Sequence, residues 1–381
     1  MIRSMFCLAA ALFIGTAAAA QPAAPTPPRP SPDLWAISET RIASIPARIA
    51  FPIRAGELTA QRHLEFSNQG EGIDNGIQYR SADGAIIGTV YVYYPGLPHA
   101  GLAAFATDNA IHVNSQSAVR AGPARIVAAG GVEGVAIRTD YSGYRGDNAS
   151  IAAFVKAGRW IVKFRVTGPT ARRGDIEAAV EALLRGVEFG RANPPLAAAQ
   201  LRIEDCPADA GRDAATVLPD PPAVELAAQG FLATLDGGGI EATDESGSPI
   251  ILPSRLPQEF CRATLATRQA GQVPLLRALP GEARSVDGRT VLIASLSDSG
   301  MALEVVHAPN LGGYLLLWHE VGGTTILGRF SGVPSDAQMA EIIDNPQSAV
   351  ARPRVPVRLR PNRGPEMYLP GVPPEAAQPR T

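Results

Sequence analysis

Apolar and polar positions alternate along much of this chain, and the alternation predicts most of its elements. It repeats every second residue over 48–53, 64–68, 76–81, 85–94, 132–141, 150–156 and 159–167, and each stretch reads as a β-strand. The last is the most regular. Trp160, Val162, Phe164 and Val166 fall on one face, and Arg159, Ile161, Lys163, Arg165 and Thr167 on the other. That split predicts a sheet with one buried and one wet face. Two stretches break the alternation and read as helices, 101–114 and 175–187, the second carrying Ile176, Val180, Leu183, Leu184 and Val187 at helical spacing.

A second set of strands follows at 259–267, 290–296, 301–307, 313–321 and 324–330. It closes with a helix at 336–344, where Ser335 and Gln338 have the spacing of a capping box. The expected fold is α+β: two domains, 35–192 and 200–346, each a mainly antiparallel sheet with packing helices. Asn193, Pro194 and Pro195 mark the boundary. Both domains end in a hairpin followed by a helix, which admits a diverged duplication, although that unit recurs in many α+β folds.

The ends change the picture. Arg3, an apolar run over 5–14 and small residues at 17–20 read as a signal peptide cut near Ala20, so the expected location is the periplasm or the exterior. Six prolines between 22 and 32 make 21–34 an extended spacer. The tail, 351–381, is rich in proline and arginine and is expected to be disordered. Cleavage removes Cys7 and leaves Cys206 and Cys261, an even pair in an oxidising compartment, read as one disulfide.

The net charge of -2 gives no general attraction to nucleic acid, and the mature chain has no apolar run long enough to span a bilayer. Of the 34 basic residues in the full sequence only Lys156 and Lys163 are lysines, and neither follows a glycine as a P-loop requires. No serine has the flanking glycines of a hydrolase elbow. Gly237, Gly239 and Ala242 have dinucleotide-binding spacing, but 243–249 cannot begin the helix that would hold a pyrophosphate. A hairpin turning at Leu311 and Gly312 would pair His307 with residue 316, leaving His319 roughly 10 Å away, too far to share a zinc ion. No metal site and no cofactor are expected.

Two surfaces stand out for binding. Tyr91 and Tyr93 share a strand face next to a Pro-Gly loop, an arrangement suited to stacking on sugars or peptide, or to a cross-strand aromatic cluster. Arg159, Lys163 and Arg165 on the wet face, with the tail arginines, form a basic surface for an anionic partner. The resulting expectation is a non-catalytic binding or accessory protein of the cell envelope, its partner an envelope polymer, an anionic surface or a protein. The alternatives are an envelope hydrolase with a dispersed site drawn from His99, Asp108 and His112, and a subunit docked through its tail.

Overall fold

The computed structural model describes residues 34–67, 71–207, 213–219, 256–279, 289–346 and 355–361, with short pieces at 222, 225, 240–243, 249–251 and 366–367. The expected signal peptide, residues 21–33 of the spacer, Gly237, Gly239 and the tail beyond residue 367 lie outside them.

The first half is built on strands β1 (Leu58–Glu65), β2 (Asp74–Arg80), β3 (Ile87–Tyr93), β4 (Val132–Tyr144), β5 (Asn148–Ala157) and β6 (Trp160–Pro169). Their order is β1-β2-β3-β6-β5-β4, with antiparallel neighbours throughout, so two three-stranded meanders meet at β3 and β6. Short strands extend both edges. Residues 49–52, expected among these strands, instead join a separate four-stranded sheet with Trp35–Ile37, Arg41–Ser44 and Glu188–Phe189.

Helix α1 (Ala100–Asn114) links the two meanders, and α2 (Arg173–Gly186) follows β6. Ile176, Val180, Leu183 and Leu184 of α2 pack on one sheet face against Val162, Phe164 and Val166. Ala103, Ala104 and Ile111 of α1 pack on the other face, against Ile137, Tyr141, Phe154 and Ile161. The opposite side of α1 carries Leu102 and Phe105, which pack against the second half of the chain. A helix covered on both sides needs no polar stripe, and this is why its sequence carries so weak a periodic signal.

This burial corrects the expectation of a wet face. Lys163 is 4% exposed and Arg159 is 7% exposed, because α1 and the second half cover that end of the sheet. Only the far end opens, where Arg165 and Thr167 are half-buried.

The second half is a meander of β7 (Glu259–Ala266), β8 (Gln272–Ala278), β9 (Thr290–Ser295), β10 (Ala302–Ala308), β11 (Gly313–Glu320), β12 (Gly323–Phe330) and β13 (Val355–Arg358). Arg202–Asp205 adds a parallel edge strand beside β7. Helix α3 (Asp336–Asp344) packs Met339, Ile342 and Ile343 on the sheet, and the Ser335–Gln338 capping box is formed. This plain meander differs in strand order from the joined meanders of the first half. The likeness between the halves is confined to the closing hairpin and helix.

Two further expectations are corrected, and one strand is added. The tail is not disordered throughout: Val355 and Val357 are buried and β13 pairs with β12. The intervening Pro356 and the flanking arginines hide that alternation in the sequence. Strand β8 went unread because Pro274 interrupts it, yet it pairs along its length with β7. The turn between β10 and β11 spans 309–312, with Gly312 at φ +73°, and pairs His307 with Tyr314 rather than residue 316. His319 is then five residues beyond that partner, roughly 17 Å along the sheet.

The halves meet through a shared apolar cluster in which Leu97, Leu102 and Phe105 pack with Phe260, Leu276 and Ile293. Gly96 N–H donates to the Glu320 carbonyl at 2.9 Å, and Gly322 N–H to that of Tyr94 at 2.8 Å. A side chain at Gly96 would lie 2.3 Å from the Gly323 carbonyl oxygen, so this approach requires glycine. The 193–199 segment runs along the first half, with Leu196 N–H bonded to Lys156 O and Ala198 N–H to Gly134 O, both at 2.8 Å. Among the described residues no helix is long and apolar enough to cross a membrane.

Candidate functional site between the two sheets

A cavity of about 480 Å³ opens between α1 and the Arg202–Asp205 strand. Phe105, Asp108, Arg120 and Thr139 line it from the first half, and Ile203 and Arg262 from the second.

Its polar centre is Asp108, a buried carboxylate on α1. The short strand Val119–Arg120 pairs with β4 so that Arg120 stands opposite Tyr141. Both then reach the same carboxylate oxygen: Arg120 Nε donates to Asp108 Oδ1 at 2.7 Å and the Tyr141 hydroxyl at 3.0 Å. Burial, and then the charge of Asp108, push the Tyr141 phenol above its ordinary range, so it stays protonated as a donor. His112 lies one helical turn on. Its Nδ1 is 2.7 Å from the Asp108 carbonyl oxygen and 3.7 Å from Oδ1, and its ring meets Tyr141 edge-on.

The opposite wall is a four-residue edge strand, too short to be secure by itself. The Cys206–Cys261 disulfide fastens it to β7, with Cα atoms 4.7 Å apart. Arg262 of β7 bonds Asp205 at 3.1 Å, and Arg202 pairs with Glu259. Guanidinium groups thus face the cavity from both sides.

Of the three residues considered for hydrolysis, Asp108 and His112 are brought together and His99 is not. His99 caps the N-terminus of α1, its Nδ1 accepting from Leu102 N–H at 3.2 Å, about 20 Å along the helix from His112. Burial, reinforced by the charge of Lys156, pulls His99 down to about 3, so it caps as a neutral ring.

Tyr91, Tyr93, Arg159, Lys163 and Arg165 lie on the same sheet face but on the other side of α1 from this cavity. Tyr93 is buried, and Tyr91 is half-buried between the Phe66 ring and Lys163, whose Nζ lies 5.2 Å from the Tyr91 centroid. Lys163 Nζ bonds Asp298 at 2.5 Å. Arg159 reaches the Gly96 carbonyl at 3.5 Å, and Arg165 bonds Ser150 while lying 4.6 Å from the centroid of Tyr144. The Arg159, Lys163 and Arg165 part of the expected basic surface is therefore a set of buried and half-buried contacts, while Arg358 of β13 is exposed and Arg352, Arg354 and Arg363 of the tail lie outside the described residues.

Sequence reading missed a third polar cluster. His319 Nε2 lies 2.7 Å from Glu304 Oε2, and its Nδ1 is 2.9 Å from the Thr324 hydroxyl, while Thr290 holds the other Glu304 oxygen. His319 and Glu304 are both fully buried, in adjacent strands. An acid at an inward position of the apolar stretch 302–308 was the available signal.

Neither a family model nor any curated protein matches this chain. Among solved structures it is similar to a protein of Bacteroides thetaiotaomicron VPI-5482, determined at 1.50 Å, with 10% identity and a TM-score of 0.24. The match covers 51% of this chain and 59% of that protein, so the chain spans less than two thirds of that protein's length.

Proposed function

We propose that the protein is an exported, non-catalytic binding protein of the cell envelope, composed of two α+β domains, with its ligand in the cavity between them. The ligand presents an anionic group, carboxylate or phosphate, to Arg120 and Arg262. The observation that carries this reading is the placement of guanidinium groups from both halves around one cavity of about 480 Å³ whose central carboxylate is already bonded by Arg120 and Tyr141. A carboxylate so engaged, beside a phenol held protonated, suits orientation of a ligand better than proton transfer. The leader-like N-terminus and the disulfide support export.

Calorimetric titration of the mature chain with an anionic cell-wall glycopeptide tests the proposal. Arg262→Ala and Arg120→Ala should each weaken binding about tenfold, the loss of one charge-assisted contact. Affinity should also fall as salt rises from about 0.01 to about 0.15 M. Equal binding by wild type and both variants overturns the reading.

A further inference from the structure

The Arg202–Asp205 wall of the cavity is also the place where the chain crosses from one half to the other. Just before it, the chain is fastened to the first half. Asn193 Nδ2 donates to the Ala47 carbonyl at 2.8 Å, and the Leu196 and Ala198 amides bond Lys156 and Gly134. Leu201 and Ile203 then join the apolar cluster that holds Leu102 and Phe105 of α1 and Phe260 of β7. The strand therefore carries one side of the cavity across the boundary.

Its attachment to the second half is slight apart from one bond. Among the described residues the strand lies at the end of its sheet, parallel to β7 for four residues, from Arg202 opposite Glu259 to Asp205 opposite Arg262. Arg202 N–H donates to the Gln258 carbonyl at 2.8 Å, and Cys206 N–H to that of Arg262 at 2.9 Å. The ion pairs of Arg202 with Glu259 and of Asp205 with Arg262 hold little, because the Arg202 side chain is 73% exposed and that of Asp205 84%. The covalent tie is the Cys206–Cys261 disulfide, at the end of the strand next to Asp205.

The two sulfurs differ in access. Cys261 is buried within β7, whereas Cys206, just past the edge strand, is half-buried. A reducing thiolate therefore meets Cys206, and Cys261 is the leaving group. The main apolar core of each half is built without either cysteine, so breaking the bond acts on the wall and not on the sheets.

We propose that the Cys206–Cys261 disulfide is a redox latch on the cavity: a dithiol reductant opens it, frees the Arg202–Asp205 wall and releases the ligand, while both sheets stay folded. A thiolate of the reductant attacks Cys206 Sγ, the S–S bond breaks, and Cys261 leaves as a thiolate. The second thiolate of the reductant then displaces Cys206 from the mixed disulfide. The reductant ends as a disulfide, and the two protein sulfurs, having gained two electrons, take up two protons as thiols. Once the strand is free, the cavity loses Arg202 and Ile203, and Arg262 loses the Asp205 carboxylate that orients it. The latch rests on the reading of this cavity as a ligand site.

Two measurements on the full mature chain, oxidised and after treatment with dithiothreitol, test the latch. In hydrogen exchange, the 202–206 amides should lose about tenfold in protection on reduction, while 160–168 and 290–295 keep theirs. In calorimetric titration with the anionic glycopeptide, the reduced chain should bind about tenfold more weakly, as when the wall is in place in about one molecule in ten, and reoxidation should restore the affinity. The double variant Cys206→Ser with Cys261→Ser should match the reduced chain and ignore dithiothreitol. Unchanged protection at 202–206 overturns the latch, and so does a loosened strand with unchanged affinity. Loss of protection throughout both sheets overturns it too, because the bond would then hold the whole fold. If the glycopeptide binds neither form, it is the anionic-ligand reading that falls, and the exchange contrast alone decides whether the strand is latched. If the double variant fails to fold, the reduced wild type decides.

Discussion

The two charged clusters flanking α1 are built from similar residues in opposite proportions. Beside the cavity, one carboxylate, Asp108, is met by two donors, Arg120 and Tyr141. At the seam, one donor, Lys163, bonds Asp298 and is the opposing charge for Asp74 as well. The difference teaches that burial raises an acid where too few donors answer it: Asp74, with no donor among the described residues, is raised to about 7, first by burial and then by the charge of Glu65.

The sharpest way to break this comparison is to remove the scarce donor. Lys163→Met leaves the part-exposed Asp298 and the half-buried Asp74 without a counter-charge, and should cost about 3 kcal/mol of stability near pH 8 by urea denaturation, the low end for a broken buried pair because water screens Asp298. The loss should shrink toward pH 5, where Asp74 takes up its proton. An equal loss at both pH values would show that Lys163 contributes packing rather than charge. Next in size is the disulfide: Cys261→Ala should cost about 2–4 kcal/mol in thermal melts, because a 55-residue separation in the unfolded chain is no longer closed. It should also loosen the cavity wall without changing the pH dependence of the seam.

Asp74→Asn sharpens the comparison further, and its sign follows from linkage. The carboxyl is raised from 3.8 to about 7 in the folded chain, so the folded state holds a proton that the unfolded state has lost between those values. Wild-type stability therefore falls as pH rises from about 4 to about 7, and the penalty persists above. Removing the charge should stabilise the protein above pH 7 by on the order of 2 kcal/mol and leave it unchanged below pH 4. Denaturation curves at pH 4, 6 and 8 measure this directly. Destabilisation at pH 8 would mean that Lys163 gains more from Asp74 than burial costs.

What the sequence conceals follows from the same geometry. Strands with one buried face were legible because their alternation is local, as in 159–167, and the cysteine pairing because only two cysteines, Cys206 and Cys261, follow residue 20. The fate of the polar face of β6 was not legible, because α1 and the 296–301 loop, which cover it, come from far along the chain. A buried lysine given an acid leaves the same pattern as an exposed one. The cavity was hidden for the same reason: Arg120 and Tyr141 lie 12 and 33 residues from Asp108. Asp108 and His112 could be paired beforehand because one helical turn separates them. Strand β13 was obscured by composition, since prolines and arginines outweigh its buried Val355 and Val357.

The smallest effect on stability is expected at Arg120, and it separates the two clusters by function. Its side chain is 41% exposed, so its attraction to Asp108 is screened by water, and Tyr141 still donates to that carboxylate when the guanidinium is gone. Arg120→Ala should therefore cost no more than about 1 kcal/mol in urea denaturation. Its effect on binding of the anionic glycopeptide should be about tenfold, because the group it removes faces the cavity rather than the core. A residue that matters more to a ligand than to the fold is the mark of a binding site. If Arg120→Ala instead cost several kcal/mol and left the affinity unchanged, the Asp108 cluster would be a fastening of α1 to β4, and the cavity beside it would have no claim to a ligand.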